Sequence, residues 1–316
     1  MIQTATHTIH VELIRQLTLR APAAVGRPAH VSAASGLVRA GDFRYVVADD
    51  ELHLGVFAAH GDAPGELARV FPGELPDAAA PRKARKPDLE ALVRLPPFGR
   101  YACGALLALG SGSAPNRSRG ALLPLDARGA LAGAARSIDL AGSYGPLAKQ
   151  FHTLNIEGAA VLGDALVLLQ RGNRHDPRSA LIRLSLRETL VALASAESLA
   201  ISAAGDIVAY DLGTIDAAPL CFSDGAALPD GRLVFAAIAE AADDSVQDGP
   251  CKGAAVGIID RNGGLQLLER IEPTYKIEGI DARMDGSRIE LNLVTDADDP
   301  TIAALLLRAT LTDPLR

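Results

Sequence analysis

The chain alternates between short apolar runs and turns that contain glycine and aspartate. Gly-Asp or Asp-Gly pairs separate several of the runs, at Gly41-Asp42, Gly163-Asp164, Asp230-Gly231 and Asp285-Gly286. Such pairs are typical of tight turns between antiparallel strands. The runs that we predict to be the second strands of hairpins are Arg44–Ala48, Ala105–Leu109, Ala165–Gln170, Leu233–Ile238 and Ile289–Val294. The pattern predicts an all-β protein.

At five points along the chain, a residue with a side-chain oxygen opens an apolar run, usually with glycine directly after it. The five residues are Ser35, Glu90, Glu157, Asp224 and Glu278. The steps between them are 55, 67, 67 and 54 residues, and the step from Glu278 through both termini back to Ser35 is 73. Repeats of similar length, each with about four short strands, are typical of β-propellers. We therefore predict a five-bladed β-propeller.

We predict a single domain, residues 1–316, with blades at approximately 34–75, 87–141, 155–212, 222–272 and 276–316. The last repeat is one strand short, so we expect the alternating segment 7–19 to be its outer strand and to close the ring. A six-bladed ring, with a degenerate blade in residues 187–219, is the alternative. Two windows resemble helices, 187–199 and 76–86. Prolines interrupt the second window, and we interpret its basic cluster as a solvated loop.

The composition is that of a globular protein, with 48% hydrophobic residues among 316. A net charge of −7 argues against a nucleic-acid surface, which needs a basic face. The first residues lack the features of a signal peptide, and no apolar run approaches the roughly 20 residues of a membrane span. Three widely spaced cysteines indicate reduced thiols. We expect a monomeric cytoplasmic protein that binds neither nucleic acid nor membranes.

In a propeller the first strand of each blade lines the central channel, so the five special positions should meet at the axis. Ser35, Glu90, Glu157, Asp224 and Glu278 would then form a ring of side-chain oxygens with four carboxylates. Like charges this close need protons or a cation to neutralise them. An all-oxygen set suits a hard ion, and room for five or more ligands favours Ca²⁺ over Mg²⁺. The alternative is that these acids cap loops or pair with arginines at the channel mouth.

A second set of polar residues follows the second strands and should lie above the first ring, on the same face. At the strand ends these are Asp49, Asp50, Ser111, Ser113, Arg171, Asn173, Glu240 and Asp296, and the loops add Arg117, Arg119, His175 and Lys252. Such a funnel could hold a phosphate or carboxylate ligand. The alternative is that strand ends are simply polar. Gly110-Ser111-Gly112-Ser113 lacks the spacing and the lysine of a phosphate-binding loop.

Several motifs resemble those of the soluble calcium-activated nucleotidases, the apyrase family. Ser35-Gly36-Leu37-Val38 followed by Asp49-Asp50 is similar to the first blade of that family, and Tyr275-Lys276-Ile277-Glu278-Gly279-Ile280 is similar to the fifth. The resemblance implies a five-bladed propeller with one axial calcium held by Ser35, Glu90, Glu157, Asp224 (or Ser223) and Glu278. It also implies that Asp49 or Asp50, and Arg171, face the nucleotide. The tryptophan of the second blade of that family is Ala91 here, and its arginine pair is Arg171-Gly172.

Across its whole length, the sequence most resembles a bacterial group of propellers with no established activity. The shared motifs are Asp-Leu-Glu-Ala, Gly-Ser-Gly-Ser, Glu-Gly-Ala and Gln-Arg-Gly-Asn, at residues 88–91, 110–113, 157–159 and 170–173. Two functions follow as hypotheses. The first is metal-dependent hydrolysis of a small phosphorylated or lactone-like molecule, with Asp49 or Asp50 positioning water. The second is a non-catalytic ligand-binding or scaffold propeller with a structural ion.

Overall fold

The computed structural model describes residues 8–173, 175–200, 207–241 and 249–315, and it is built almost entirely from short antiparallel strands. Two short strands, β1 (Thr8–His10) and β2 (Glu12–Gln16), precede the first blade. Blade 1 contains β3 (Ala34–Ala40), β4 (Phe43–Ala48), β5 (His53–Ala58) and β6 (Glu66–Arg69). Helix α1 (Ala79–Arg85) leads to blade 2, with β7 (Leu89–Leu95), β8 (Ala105–Gly110), β9 (Arg119–Pro124) and β10 (Arg136–Asp139).

The remaining three blades repeat this arrangement. Helix α2 (Ala141–Leu147) precedes blade 3, which has β11 (Ile156–Leu162), β12 (Ala165–Gln170), β13 (Ser179–Ser185), helix α3 (Leu186–Ser195) and β14 (Ile207–Tyr210). After β15 (Thr214–Ile215), blade 4 has β16 (Ala218–Ala227), β17 (Leu233–Glu240), β18 (Cys251–Ile259) and β19 (Leu265–Glu272). Blade 5 has β20 (Ile277–Asp285), β21 (Arg288–Thr295) and β22 (Leu305–Thr312). The predicted five-bladed, all-β propeller is confirmed.

The N-terminal strands close the ring by pairing with two blades. Strand β2 pairs antiparallel with β22 and supplies the fourth strand of blade 5, as predicted. Strand β1 pairs parallel with β19 and extends blade 4. The segment expected as one strand is therefore two, separated at Val11, and residue 7 lies outside the described residues. The six-bladed alternative is wrong, because the described part of 187–219 provides α3 and short edge strands to blades 3 and 4.

Two helices differ from the sequence-based expectation. Helix α2 was not predicted, because two glycines and a proline in its seven residues are poor helix formers. The window at 76–86 does contain a helix, α1, but its basic cluster is not a solvated loop. Arg82 and Lys86 are only 8% and 9% exposed, because acidic residues of blades 1 and 2 pair with them. Among the described helices, none has both the length and the apolar character that a membrane crossing requires.

A separate apolar core fills each seam between neighbouring blades. Val47 and Leu92 belong to the core between blades 1 and 2, for example, and Leu293 and Val256 to the core between blades 4 and 5. Another core joins blade 5 to blade 1 through Val294 and Leu37. Each blade therefore depends on both neighbours for burial of its two faces, and the strand ends that carry polar residues are left at the rim of the central tunnel.

Candidate functional site

A β-bulge interrupts the pairing of every innermost strand with its neighbour, at the same place in each blade. The register shifts between Ala34 and Gly36, Leu89 and Ala91, Ile156 and Gly158, Phe222 and Asp224, and Ile277 and Gly279. The bulged residues are Ser35, Glu90, Glu157, Ser223 and Glu278. Because a bulge re-aims a side chain away from the strand's ordinary alternation, it explains why these positions recur in the sequence.

In blade 4 the bulged residue is Ser223, and Asp224 lies one position further, where three other blades have glycine. The equivalent glycines need that identity, because a Cβ on Gly36 would lie 3.1 Å from the carbonyl oxygen of Glu90, and one on Gly158 would lie 2.8 Å from the Cα of Asp224. The Asp224 carboxylate instead accepts hydrogen bonds from the backbone N–H groups of Gly225 (2.7 Å) and Ile280 (2.9 Å). Asp224 therefore links blade 4 to blade 5.

The ends of the second strands lie beside the bulges, as the strand pairing predicts. The backbone N–H groups of Asp49, Ser111, Arg171 and Asp296 donate to the carbonyl oxygens of Ala33, Asp88, Asn155 and Lys276, each of which is two residues before a bulge. This brings Asp49, Ser111, Arg171 and Asp296 to the rim of the tunnel together with the bulged residues. We call this rim the tunnel mouth.

One half of the tunnel mouth is organised around Lys86 and Arg117. The Lys86 ammonium contacts the Asp49 carboxylate and lies 2.9 Å from Asp88. Arg117 lies 2.9 Å from Asp88, and the Ser111 hydroxyl donates to the same carboxylate at 2.5 Å. Carboxylate oxygens of Asp49, Asp88 and Glu90 all lie within 4.8 Å of one another. Blades 1 and 2 thus bring three acids to one point.

The other half is organised around Arg171 and Lys276. Arg171 contacts Glu240 and lies 3.4 Å from Glu157 and 3.6 Å from Glu278, which belong to blades 4, 3 and 5. Lys276 lies 3.5 Å from both Glu240 and Glu278. It also reaches two acids that follow β21, Asp296 at 3.9 Å and Asp298 at 2.6 Å. The alternative in which the acids pair with arginines at the channel mouth describes the contacts of Arg171 but not those of Lys276.

Acidic groups outnumber basic ones at the tunnel mouth, counted over the described residues. The acids are Asp49, Asp88, Glu90, Glu157, Glu240, Glu278, Asp296 and Asp298, and the bases are Lys86, Arg117, Arg171 and Lys276. Burial raises the pKa of Asp49 to about 6 and that of Glu157 to about 8. Burial and then the neighbouring Glu157, Asp88 and Asp49 raise the pKa of Glu90 well above its usual range.

Two buried oxygens of the bulged residues have no hydrogen-bond partner among the described residues. They are the Ser223 hydroxyl and Oε2 of Glu278, in residues that are 0% and 5% exposed. A buried polar atom without a partner is costly. A cation bound among the bulged residues would provide one.

Of the remaining residues predicted for the funnel, some line the tunnel mouth and others make contacts elsewhere. Ser113 accepts a hydrogen bond from Arg117 at 2.8 Å and lies 2.9 Å from the Ser111 hydroxyl, so both serines line the mouth. Asn173 caps its own loop, accepting from the N–H of His175 and of Asp176. Asp50 lies apart from the ring, because Arg27 and Arg82 hold it at 3.1 and 3.3 Å. Arg119 packs over the ring of Phe71.

Four residues of the tunnel mouth were not predicted from the sequence: Lys86, Asp88, Lys276 and Asp298. Asp88 and Lys276 stand two residues before a bulge, as do Asn155 and Cys221. This offset places them on the same side of the strand as the bulged residue, so the repeat itself contained the signal. Lys86 carries no such signal, since it reaches the mouth from the end of α1.

Comparison with known proteins identifies a family and a set of distant structural relatives. Residues 30–311 match the family described as "Family of unknown function (DUF6929)", so the chain belongs to that family. No curated protein matches it. A hypothetical protein from Leishmania major has a similar structure, with 11% identity and a TM-score of 0.44 over 96% of this chain and 92% of the other.

Two enzymes are similar at the same level. A mannose phosphorylase from Leishmania mexicana, in complex with a phosphate ion, is 12% identical with a TM-score of 0.44, over 96% of this chain and 89% of the other. An α-L-arabinofuranosidase from Fusarium graminearum is 9% identical with a TM-score of 0.43, over 95% and 98%. Likeness at this level says nothing of activity.

Proposed function

We propose that this member of the family binds a divalent cation at the tunnel mouth, with Ca²⁺ as the preferred ion. The observation that carries the proposal is the group of Asp49, Asp88 and Glu90, whose oxygens lie within 4.8 Å of one another in a ring with an excess of acids. A set of oxygen donors suits a hard cation. Ca²⁺ accepts about six to eight oxygens in flexible geometry, whereas Mg²⁺ demands a near-ideal octahedron. An uneven ring with contributions from several blades therefore suits Ca²⁺.

The ammonium of Lys86 competes for the same carboxylates. It contacts Asp49 and lies 2.9 Å from Asp88, so a cation bound to these acids must displace it or share them with it. A carboxylate oxygen of Glu90 lies within 4.8 Å of oxygens of Asp49 and Asp88, and, after burial, the charge of Glu157 in the other half of the mouth contributes most to raising the pKa of Glu90. We therefore expect Glu90 to be the indispensable ligand.

We further propose that the cation-loaded mouth hydrolyses a small phosphorylated or lactone-like molecule. When bound, a divalent cation would polarise the phosphoryl or acyl oxygen of such a ligand. The hydroxyl groups of Ser111 and Ser113 lie beside these carboxylates, where they bond to Asp88 and to each other, and a ligand oxygen would compete for these bonds. Asp49 is better suited than Asp50 to position water, because Asp50 is held by two arginines outside the ring. The motif resemblance to calcium-activated nucleotidases supports nucleoside diphosphates as the first substrates to test.

The alternative is a structural cation in a non-catalytic propeller, and one observation favours it. Arg171 already joins blades 3, 4 and 5 through Glu157, Glu240 and Glu278. A cation held by Asp49 and Glu90 of blades 1 and 2 would complete a set of ionic links around the whole ring. Such an ion would stabilise the fold without any substrate.

Calcium titration tests cation binding directly. Isothermal titration of Ca²⁺ into the full chain should show saturable binding, and Glu90→Gln should weaken it roughly tenfold or more, because it removes one ligand charge at unchanged size. Glu290→Gln, which removes an exposed carboxylate on β21, is the matched control and should leave the affinity unchanged. Equal effects of the two variants would mean that Ca²⁺ responds only to net charge, which would overturn the proposed site.

An activity panel separates the two proposed roles. Nucleoside diphosphates, phosphate monoesters and lactones are incubated with the protein in Ca²⁺ and in chelator, and Asp49→Asn is compared with wild type. Ca²⁺-dependent turnover that Asp49→Asn abolishes supports hydrolysis. Ca²⁺ binding that raises the melting temperature, with no turnover on any substrate, supports the structural ion instead.

A further inference from the structure

A small pocket on blade 2, beside helix α3, has a cationic lining that the tunnel mouth does not explain. Its volume is about 280 Å³, and its lining residues are Arg100, Tyr101, Leu122, Pro124, Ala134 and Arg136. It shares no residue with the tunnel mouth. The described part of the chain contributes no carboxylate to this lining. Two arginines therefore face one pocket without an acid to neutralise them there.

Arg136 is held in place by the C-terminal end of α3. One terminal nitrogen of its guanidinium donates to the carbonyl of Ala196 at 2.5 Å, and the other donates to the carbonyl of Leu193. The N–H at Nε is buried and has no hydrogen-bond partner among the described residues. Arg136 thus offers the pocket a positive charge that cannot swing away.

Tyr101 places a hydroxyl group between the two arginines. The residue is 7% exposed, and its ring packs against Phe98 with the centroids 4.8 Å apart. Arg100 donates to the hydroxyl at 3.3 Å and lies over the ring at 5.4 Å. Hydrogen bonds from Arg100 and Arg136 lower the pKa of Tyr101 against the opposing effect of burial. The hydroxyl proton remains available to donate to a ligand, because both arginines can only donate to the oxygen.

We infer that this pocket binds a small molecule through one phosphate or carboxylate group, held by Arg100, Arg136 and the Tyr101 hydroxyl. Arginines form short, charge-assisted hydrogen bonds to these oxyanions, and the Tyr101 hydroxyl adds a neutral donor beside them. Leu122, Pro124 and Ala134 form the remaining wall, so the anionic group carries an apolar substituent. Ligand pockets usually span about 300–1,000 Å³, and this one therefore admits only a small ligand.

Titration with phenyl phosphate, benzoate and inorganic phosphate tests the inference. We expect saturable binding of phenyl phosphate or benzoate to the full chain, with inorganic phosphate weaker because it lacks the apolar part. Tyr101→Phe should weaken binding about fivefold to tenfold, the effect of one lost hydrogen bond. Arg100→Gln should weaken it further, because it removes a charge-assisted partner. Tighter binding of phenyl phosphate would assign the site to phosphate esters, and tighter binding of benzoate would assign it to carboxylates.

Arg128→Gln provides the matched control, since Arg128 is an exposed arginine whose carboxylate partner, Asp42, lies on another loop. This variant should bind both ligands as the wild type does. Circular dichroism melting of Tyr101→Phe and Arg100→Gln verifies that each variant is folded. Absence of saturable binding, or an equal loss in Arg100→Gln and Arg128→Gln, would overturn the inference, because binding would then be absent or due to general surface charge.

Discussion

At the scale of single residues, the buried carboxylates of the tunnel mouth depend on cations that the chain itself supplies. Lys86, Arg171 and Lys276 lie among them. The two lysines are each 9% exposed, and Arg171 is partly buried. Taking a carboxylate out of water costs several kcal/mol unless an opposite charge offsets it. Four basic groups cannot offset eight acids, so protons must remain on some carboxyl groups when no metal ion is bound. The raised pKa values of Asp49, Glu90 and Glu157 express this deficit.

Calcium affinity should therefore rise with pH. Burial raises the pKa of Asp49 to about 6 and that of Glu157 to about 8, so Ca²⁺ must displace protons from the mouth at neutral pH. We expect the affinity to increase between pH 6 and pH 8 and to level off above that range. Titration in buffers of different ionisation enthalpy measures the protons released. A pH-independent affinity with no proton release would contradict these assignments.

Stability without Ca²⁺ should change with pH in the opposite direction. A carboxyl group whose pKa is raised in the folded state binds its proton more tightly there than in the unfolded chain. The stability that this proton contributes is complete below the ordinary pKa of about 4.5 and is lost as the pH rises through the folded value. For Glu157, whose folded pKa is about 8, that loss extends across neutral pH. Denaturant unfolding at pH 6 and pH 8 measures it, and Glu157→Gln should flatten the difference.

The sequence predicts a residue of the acidic ring correctly where the acid of the repeat is itself the bulged residue of the strand. Glu90, Glu157 and Glu278 stand at bulges because each repeat places one acid at the start of its innermost strand. In blade 4, Ser223 and Asp224 are adjacent, and only the observed register shows that the bulge falls on Ser223. The role of Lys86 could not be predicted, because its partners Asp49 and Asp88 come from two different blades.

At the scale of elements, the residue after each bulge sets how closely the innermost strands approach one another. Gly36, Gly158 and Gly279 allow backbone contact with the next blade, as the sequence suggested for a crowded axis. Asp224 occupies this position in blade 4 and uses its carboxylate to accept the N–H of Ile280 in blade 5. The same position thus contributes close approach in three blades and a side-chain bridge in the fourth.

Asp224→Asn should destabilise the fold without weakening Ca²⁺ binding. Asparagine keeps one acceptor oxygen and replaces the other by an amide nitrogen, so either the N–H of Gly225 or that of Ile280 loses its acceptor, and we expect a loss of about 1–3 kcal/mol in the free energy of unfolding, measured with urea. Asp164→Asn, in an exposed turn, should change it by less than about 0.5 kcal/mol. The reverse result, lost Ca²⁺ binding with unchanged stability, would make Asp224 a metal ligand.

Strands were easier to predict than helices because alternation and turn residues act locally. The hairpin turns at Gly41-Asp42 and Asp285-Gly286 join the strands as expected. Helix α3 overlaps the window at 187–199 that resembles a helix, and Ser185 caps it by accepting the N–H of Glu188. Helix α2 forms against its own propensity, because Tyr144 and Leu147 are buried in the core between blades 2 and 3. Packing by distant residues decides such cases.

At the scale of the whole molecule, the ring is held closed where its two ends meet. Strands β1 and β2 connect the N-terminal segment to blades 4 and 5. Nearby, the Arg232 guanidinium forms two hydrogen bonds with the Asp313 carboxylate, at 2.7 and 2.9 Å, and both side chains are almost fully buried. This pair joins the first hairpin of blade 4 to the end of blade 5. The repeat pattern predicts the closure of the ring by the N-terminal segment. It does not predict the Arg232–Asp313 pair, because these two residues are distant in sequence and belong to no repeated motif.

Removal of residues 1–16 should open the ring. The change exposes the edges of β22 and β19 and removes the buried side chain of Ile9, which alone is worth about 1.5–3 kcal/mol. We expect a lower melting temperature and self-association in size-exclusion chromatography, because free strand edges pair with other chains. A peptide of residues 8–16 should restore the elution volume of the full chain, whereas a scrambled peptide should not. A truncated protein that melts and elutes like the full chain would contradict the closure.

The central claim is that the tunnel mouth binds Ca²⁺ in competition with an internal ammonium group, and Lys86→Met tests it most directly. Removing a positive charge from among Asp49, Asp88 and Glu90 should raise the Ca²⁺ affinity at least roughly tenfold, because a like charge at contact distance opposes the ion strongly. Lys149→Met, which removes an exposed charge, should not change the affinity. If calorimetry instead finds that Lys86→Met binds Ca²⁺ no more tightly than the wild type, the cation does not bind at these carboxylates.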